Sequence, residues 1–284
     1  MKAGRCLSGM ALLWTIATAQ TLRCNFEGYG AIEGMRARML RGAVELTWPG
    51  EAGEQLQAEF TIQDGRPVGR QLAARSGGGA WGVLGKNLIP DFQVTTGRRR
   101  ISLTQRKLLQ RLGIDTPAEE EVRKWNTFWD APLVVPGRHD TTDLPRKAGK
   151  IQRDSVSYNS HGCHVTSTGD RVSVTFDGLT LGLFSDDLSF TAYKGSNLLR
   201  QEAIAKTERP SVAYIYKAGL KGFTIGNTKL VWRDTARQWQ QYAFGGAPNN
   251  EPVNLRARNR LEILDTGRGS LGIFPLPHKF FFAR

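Results

Sequence analysis

The chain has 284 residues, with 39 lysines and arginines against 26 acids and 40% hydrophobic residues. That length suits one large sandwich or two small domains. The formal charge of +13 favours acidic partners such as uronate or sulfated polysaccharide, anionic envelope lipid or nucleic acid, and the three cysteines lack the spacings of zinc sites.

Residues 1–19 carry the parts of an export signal. Lys2 and Arg5 precede the short apolar run Met10 to Ala19, which ends in the small-x-small pattern Ala17-Thr18-Ala19. The run is shorter than the roughly 20 residues a membrane span needs, and no later stretch is apolar enough to span. Cys6 lies ahead of the apolar core, so it is not placed as a lipoprotein anchor. An uncleaved anchor and a buried first helix are the alternatives. Cleavage before Gln20 would lower the charge by two, to +11, and leave 265 residues, with secretion or a periplasmic location expected. Cys24 and Cys163 would remain, either paired across a long loop or as two buried thiols. Export makes nucleic acid the least favoured acidic partner, and no cofactor is expected.

The next stretch reads as strands. Leu56, Ala58, Phe60 and Ile62 alternate with polar residues and are followed by Asp64-Gly65. Val172, Val174 and Phe176 alternate in the same way before Asp177-Gly178. Leu188 to Tyr193, Ser211 to Tyr216, Lys229 to Trp232 and Leu261 to Leu264 are further strand-like runs. Turn residues at about 8–12 residue spacing punctuate them, which predicts layered antiparallel sheets rather than βαβ units. The expected fold is therefore mainly β, a large antiparallel sandwich in one domain spanning 20–284.

One insertion breaks the pattern. Ser102 to Gln105 forms a capping box before Leu108, Leu109 and Leu112, Gly113 stops that helix, and Thr116-Pro117-Ala118-Glu119 starts a second. The spacing predicts a small two-helix insertion at about 102–128. Its basic residues admit a helix-turn-helix reading, which the β context and the export signal disfavour. Residues 137–153, rich in charge, Gly and Pro, read as an exposed loop. The C-terminal Phe280, Phe281 and Phe282 either complete a core or mark a chain truncated relative to a longer form.

Four sets of residues could carry chemistry. His161, Cys163 and His164 are potential zinc or copper ligands, although a strand would send His164 to the face opposite Cys163. Trp125, Trp129 and Asp130, with Trp81, could stack on and hydrogen-bond a sugar ring, whereas Trp125, Phe128 and Trp129 at helical spacing could equally be a helix's apolar face. Arg98 and Arg99, within an arginine triplet, could bind carboxylate or sulfate, or form a solvated turn. Arg200 and Glu202 share a strand face, and His161 or His278 could partner Glu202 in proton transfer; cross-strand ion pairing on a wet sheet face is the alternative. No G-x-S-x-G elbow, P-loop, dinucleotide fingerprint or H-E-x-x-H is present.

The strands from Ala43 to Thr95, with Asp64-Gly65 and Trp81-Gly82, then Val172–Gly182, Leu188–Lys206 and Leu230–Phe244, resemble galactose-mutarotase-like super-β-sandwich domains of exported bacterial carbohydrate-active proteins. The resemblance lies in the pattern, with no family motif matched residue by residue. It implies sugar binding and, if the protein is an enzyme, a lyase, hydrolase or epimerase activity. The expectation is an exported protein that binds carbohydrate, including acidic glycans. The alternative is an envelope structural or interaction protein without a small-molecule ligand.

Overall fold

The computed structural model describes residues 22–98, 111, 152–209, 212–223, 228–244 and 255–275, and nearly all of its regular structure is strand. Five strands follow one another in an antiparallel meander: β2 (Arg36–Leu40), β3 (Ala43–Pro49), β4 (Glu54–Gln63), β5 (Arg66–Ser76) and the 17-residue β6 (Gly82–Arg98). The β4–β5 hairpin closes on Asp64 (φ 50°) and Gly65 (φ 73°). Two successive left-handed residues match the twist of the flanking strands, and Asp-Gly is a pair that tolerates them. β7 (Gln152–Ser155) and β13 (Val212–Lys221) both pair with the second half of β6, giving seven strands.

The second sheet has six strands. It contains β1 (Cys24–Asn25), β9 (Cys163–Thr168), β10 (Arg171–Leu181), β11 (Phe184–Tyr193) and β12 (Leu199–Lys206) in that spatial order, with β8 (Ser157–Tyr158) beside β10. A third, four-stranded sheet is ordered β15 (Trp239–Ala243), β14 (Lys229–Arg233), β16 (Glu262–Asp265), β17 (Ser270–Ile273). It meets the seven-stranded sheet near the start of β6. Gly82 lies so close to the Arg268 carbonyl that a Cβ there would be crowded, and Leu84 lies against Gly269.

Period-2 alternation is what joins the two larger sheets. Leu46, Ala58 and Phe60 of one and Val174, Phe176 and Phe190 of the other belong to one buried cluster. Phe60 stacks on Phe190 with centroids 4.2 Å apart and meets Phe176 edge-on at 6.3 Å. These even-numbered positions turn inward, so the odd-numbered ones on β4, β11 and the first part of β10, up to Phe176, turn outward.

The N-terminal segment crosses between the sheets and is held by its neighbours along β9. Leu22 is buried in the core. The Cys163 amide donates to the Arg23 carbonyl at 3.1 Å, and the Ser167 amide donates to the Gly28 carbonyl at 3.0 Å. Cys24 and Cys163 are register partners on parallel β1 and β9 and form a disulfide, with Cα atoms 4.4 Å apart and a sequence separation of 139. A two-residue strand has few ladder bonds of its own, so this cross-link and the buried Leu22 supply its anchorage.

Two expectations change. Asp177-Gly178 is not a turn between strands: β10 runs through it to Leu181, with a bulge between Phe176 and Leu179. Gly178 adopts φ 76°, and a side chain there would collide with the Asn159 carbonyl, so the bulge lets β8 approach. The loop expected at 137–153 ends sooner, because Gln152 and Arg153 already pair with Thr96 and Thr95. The two-helix insertion expected at 102–128 lies outside the described residues except for Arg111, which is helical. Phe280 to Phe282 also lie outside them.

Phe60→Ala should lower unfolding free energy by about 3–5 kcal/mol, the cost of truncating a buried phenylalanine, read from urea melts. The Cys24→Ser/Cys163→Ser double variant should lose about 2–5 kcal/mol, and reductant should lower the stability of the parent but leave the variant unmoved.

Candidate functional site

The six-stranded sheet presents a polar outer face built by strand parity. Inward Cys163, Val165, Val174, Phe176, Leu188 and Phe190 force their alternating neighbours outward. Register then aligns those neighbours in rows across the strands. One row is His164, Thr175, Ser189, Glu202. The next is Thr166, Ser173, Thr191, Arg200. A third is Thr168, Arg171, Tyr193.

Hydroxyls at the centre bind one another. Ser173 and Thr191 lie 2.8 Å apart, and the Thr175 hydroxyl donates to Ser189 at 3.1 Å. Ser189 and Thr191 are buried, while His164 and Thr166 are exposed. At the β12 edge, Arg200 donates through Nη2 to the Glu202 carboxylate. The Arg200 Nε atom is buried without a hydrogen-bond partner among the described residues. Gln201, on the opposite side of β12, donates to the Gly219 carbonyl of β13 at 3.1 Å and so ties this sheet to its partner.

Asp187 extends the face beyond Ser189. Its carboxyl is held above the usual range first by desolvation, then by the charges of Asp186 and Asp177, with His164 acting in the opposite direction. No hydrogen bond or ion pair to Asp187 is present among the described residues. An acid in this setting destabilises the folded protein when charged.

The outer face of the seven-stranded sheet gives a contrast. Glu45 is only 3% exposed. Burial alone would raise its pKa, but hydrogen bonds from Arg38 and Gln57 and the charges of Arg38 and Arg36 outweigh burial and hold it below the usual carboxylate range. Arg38 Nε lies 2.5 Å from one Glu45 oxygen, Gln57 donates to the other at 2.6 Å, and Gln71 donates to Gln57 at 3.1 Å. Arg70 pairs with Glu59 at 2.6 Å. Every acid in this network has its partners, so it reads as structural.

The residues singled out from the sequence do not converge. Trp81 and Arg98 flank β6 at its two ends, on the order of 50 Å apart along the strand. Arg75 lies 4.5 Å from the Trp81 ring centroid, so its guanidinium takes one indole face. Arg200 and Glu202 do come together, as an ion pair within one strand rather than across strands. His161 does not partner Glu202. It precedes β9, its amide donates to Asp177 at 3.3 Å, and β10 and β11 separate it from β12 by about 10 Å or more. The metal set fails for a chemical reason: Cys163 shares its sulfur with Cys24 and has no thiolate to offer, while His164 lies on the opposite face. Arg99, Trp125, Trp129, Asp130 and His278 lie outside the described residues. Sequence reading missed Asp187 and the hydroxyl rows, because their alignment depends on register between strands distant in sequence.

Asp187→Asn should raise the melting temperature at neutral pH. With a raised carboxyl pKa, the parent is favoured below the unfolded value and loses that advantage as pH rises through the folded one. The gain should therefore vanish in melts below about pH 4, and a lower melting temperature at pH 7 would refute the assignment. No protein-family model, curated protein or solved structure matches the chain.

Proposed function

We propose that this protein is an exported glycan-binding protein whose ligand lies on the outer face of the six-stranded sheet. The observation that carries the reading is the pair of cross-strand rows from His164 to Glu202 and from Thr166 to Arg200. Hydroxyl, imidazole, carboxylate and guanidinium groups stand there at regular spacing of about 4.8 Å between strands. Sugars present hydroxyls along a repeating chain, and such an array offers both donors and acceptors to them. Arg200 and Arg171 add a preference for carboxylated or sulfated sugars. Tyr193, half-buried at the margin, offers a ring for stacking.

Export is supported by the signal-like residues 1–19 and by the Cys24–Cys163 disulfide, a bond that persists in oxidising compartments. The two-layer core is compatible with a super-β-sandwich arrangement. Binding is preferred to catalysis because Glu202, the best placed acid, has Arg200 as its partner, and no further hydrogen bond or ion pair to it is present among the described residues.

A thermal-shift screen and titration calorimetry against neutral, uronic and sulfated polysaccharides test the proposal. Binding is expected, with His164→Ala and Arg200→Ala each weakening it about tenfold, the scale of one lost charge-assisted hydrogen bond. A folded sample unmoved by every glycan would favour an envelope interaction protein without a small-molecule ligand.

A further inference from the structure

The tip of the β14–β15 hairpin gathers positive charge around an exposed indole. Arg233 ends β14, and Trp239, its register partner, begins β15. Asp234 shapes the turn by accepting from the Gln238 amide at 2.8 Å and from the Gln240 side chain at 2.9 Å. Arg237 adopts φ 66°, and its carbonyl accepts from Arg233 Nε at 3.1 Å. A distant segment joins the tip, because Ala257 bridges to Asp234 and the Arg258 amide donates to the Arg233 carbonyl at 2.7 Å. That contact sets Arg256 and Arg258 along the edge of β14 at Arg233, with Arg260 following in the same segment.

All five arginines are exposed, and none forms an ion pair among the described residues. The one acid inside the cluster, Asp234, is committed to holding the turn. Trp239 is 62% exposed, with the Arg233 guanidinium 5.8 Å from its ring centroid. A lone surface arginine is ordinary and solvated. Here one stands beside an exposed indole, a second lies in the same turn and three follow in the segment along the other edge of β14, a concentration of positive charge with a stacking surface at its side.

We propose that this tip is a second binding surface, separate from the polar sheet face, and that it takes an anionic polysaccharide. Guanidinium forks would hold carboxylate or sulfate groups bidentately while the indole covers the apolar face of a sugar ring. Nucleic acid offers anions and flat rings too, but the disulfide belongs to a compartment where glycans are the commoner polyanion. Only the choice of a glycan over other polyanions rests on the function proposed above.

The test uses the full chain, titrated with polygalacturonate, with heparin, with a neutral glucan and with a single-stranded oligonucleotide of equal charge. Polygalacturonate or heparin should bind, and affinity should fall as salt rises. Arg256→Ser/Arg258→Ser/Arg260→Ser should weaken binding about tenfold, and Trp239→Ala should weaken it without changing the salt dependence. Arg66→Ser, an exposed arginine at the β4–β5 hairpin that belongs to neither surface, should leave heparin binding intact. Three results would overturn the inference: no polyanion binding, unchanged affinity in the triple variant, or tighter binding of the oligonucleotide than of either glycan. Neutral-glucan binding that survives such a result would leave the sheet-face reading standing. Should the triple variant fail to fold, salt-insensitive binding by the parent would overturn the inference equally.

Discussion

The two larger sheets depend on a meeting of aromatic rings. Phe60 projects from β4 between Phe176 of β10 and Phe190 of β11, stacked on one and edge-on to the other. All three are buried, and the aliphatic residues around them form a single cluster. Aromatic pairs contribute roughly 0.5–1.5 kcal/mol beyond the area they bury, and here they also set which parity of each strand faces inward. Once Phe60, Phe176 and Phe190 are inside, Glu59, Thr175 and Ser189 must be outside. The polar faces follow from the core.

Those two outer faces meet the same problem differently. On the seven-stranded sheet, Glu45 and Glu59 are desolvated but matched by Arg38, Gln57 and Arg70. Burying a charge is costly unless its hydrogen bonds are supplied, and there they are. On the six-stranded sheet, the hydroxyls are paired and Asp187 is desolvated with the His164 charge opposing that effect, while Arg200 here, like Arg75 on the other sheet, keeps a buried Nε without a hydrogen-bond partner among the described residues.

The disulfide has architectural and chemical effects. It holds the short strand β1 against β9, so the N-terminal segment can pass from one sheet to the other before β2 begins. The same bond removes Cys163 from metal chemistry. A thiolate and a structural disulfide are alternative fates of one sulfur, and only one of them leaves a ligand.

Alternation at Leu56, Ala58, Phe60 and Ile62, and at Val172, Val174 and Phe176, determined the strands, their inward faces and the antiparallel class. Asp64-Gly65 determined a hairpin, because the two left-handed residues a tight turn requires are a local property of backbone sterics. Asp177-Gly178 carries the same dipeptide but lies inside a strand as a bulge, since the approach of Asn159 decides its setting. The register that aligns His164 with Glu202, and the bridge that brings Arg256 and Arg258 to β14 at Arg233, join residues about 20 to 40 positions apart. Local propensity carries no information about such pairings. They arise when hydrophobic faces close on one another, so the strands were legible in the sequence and the sites were decided by the tertiary structure.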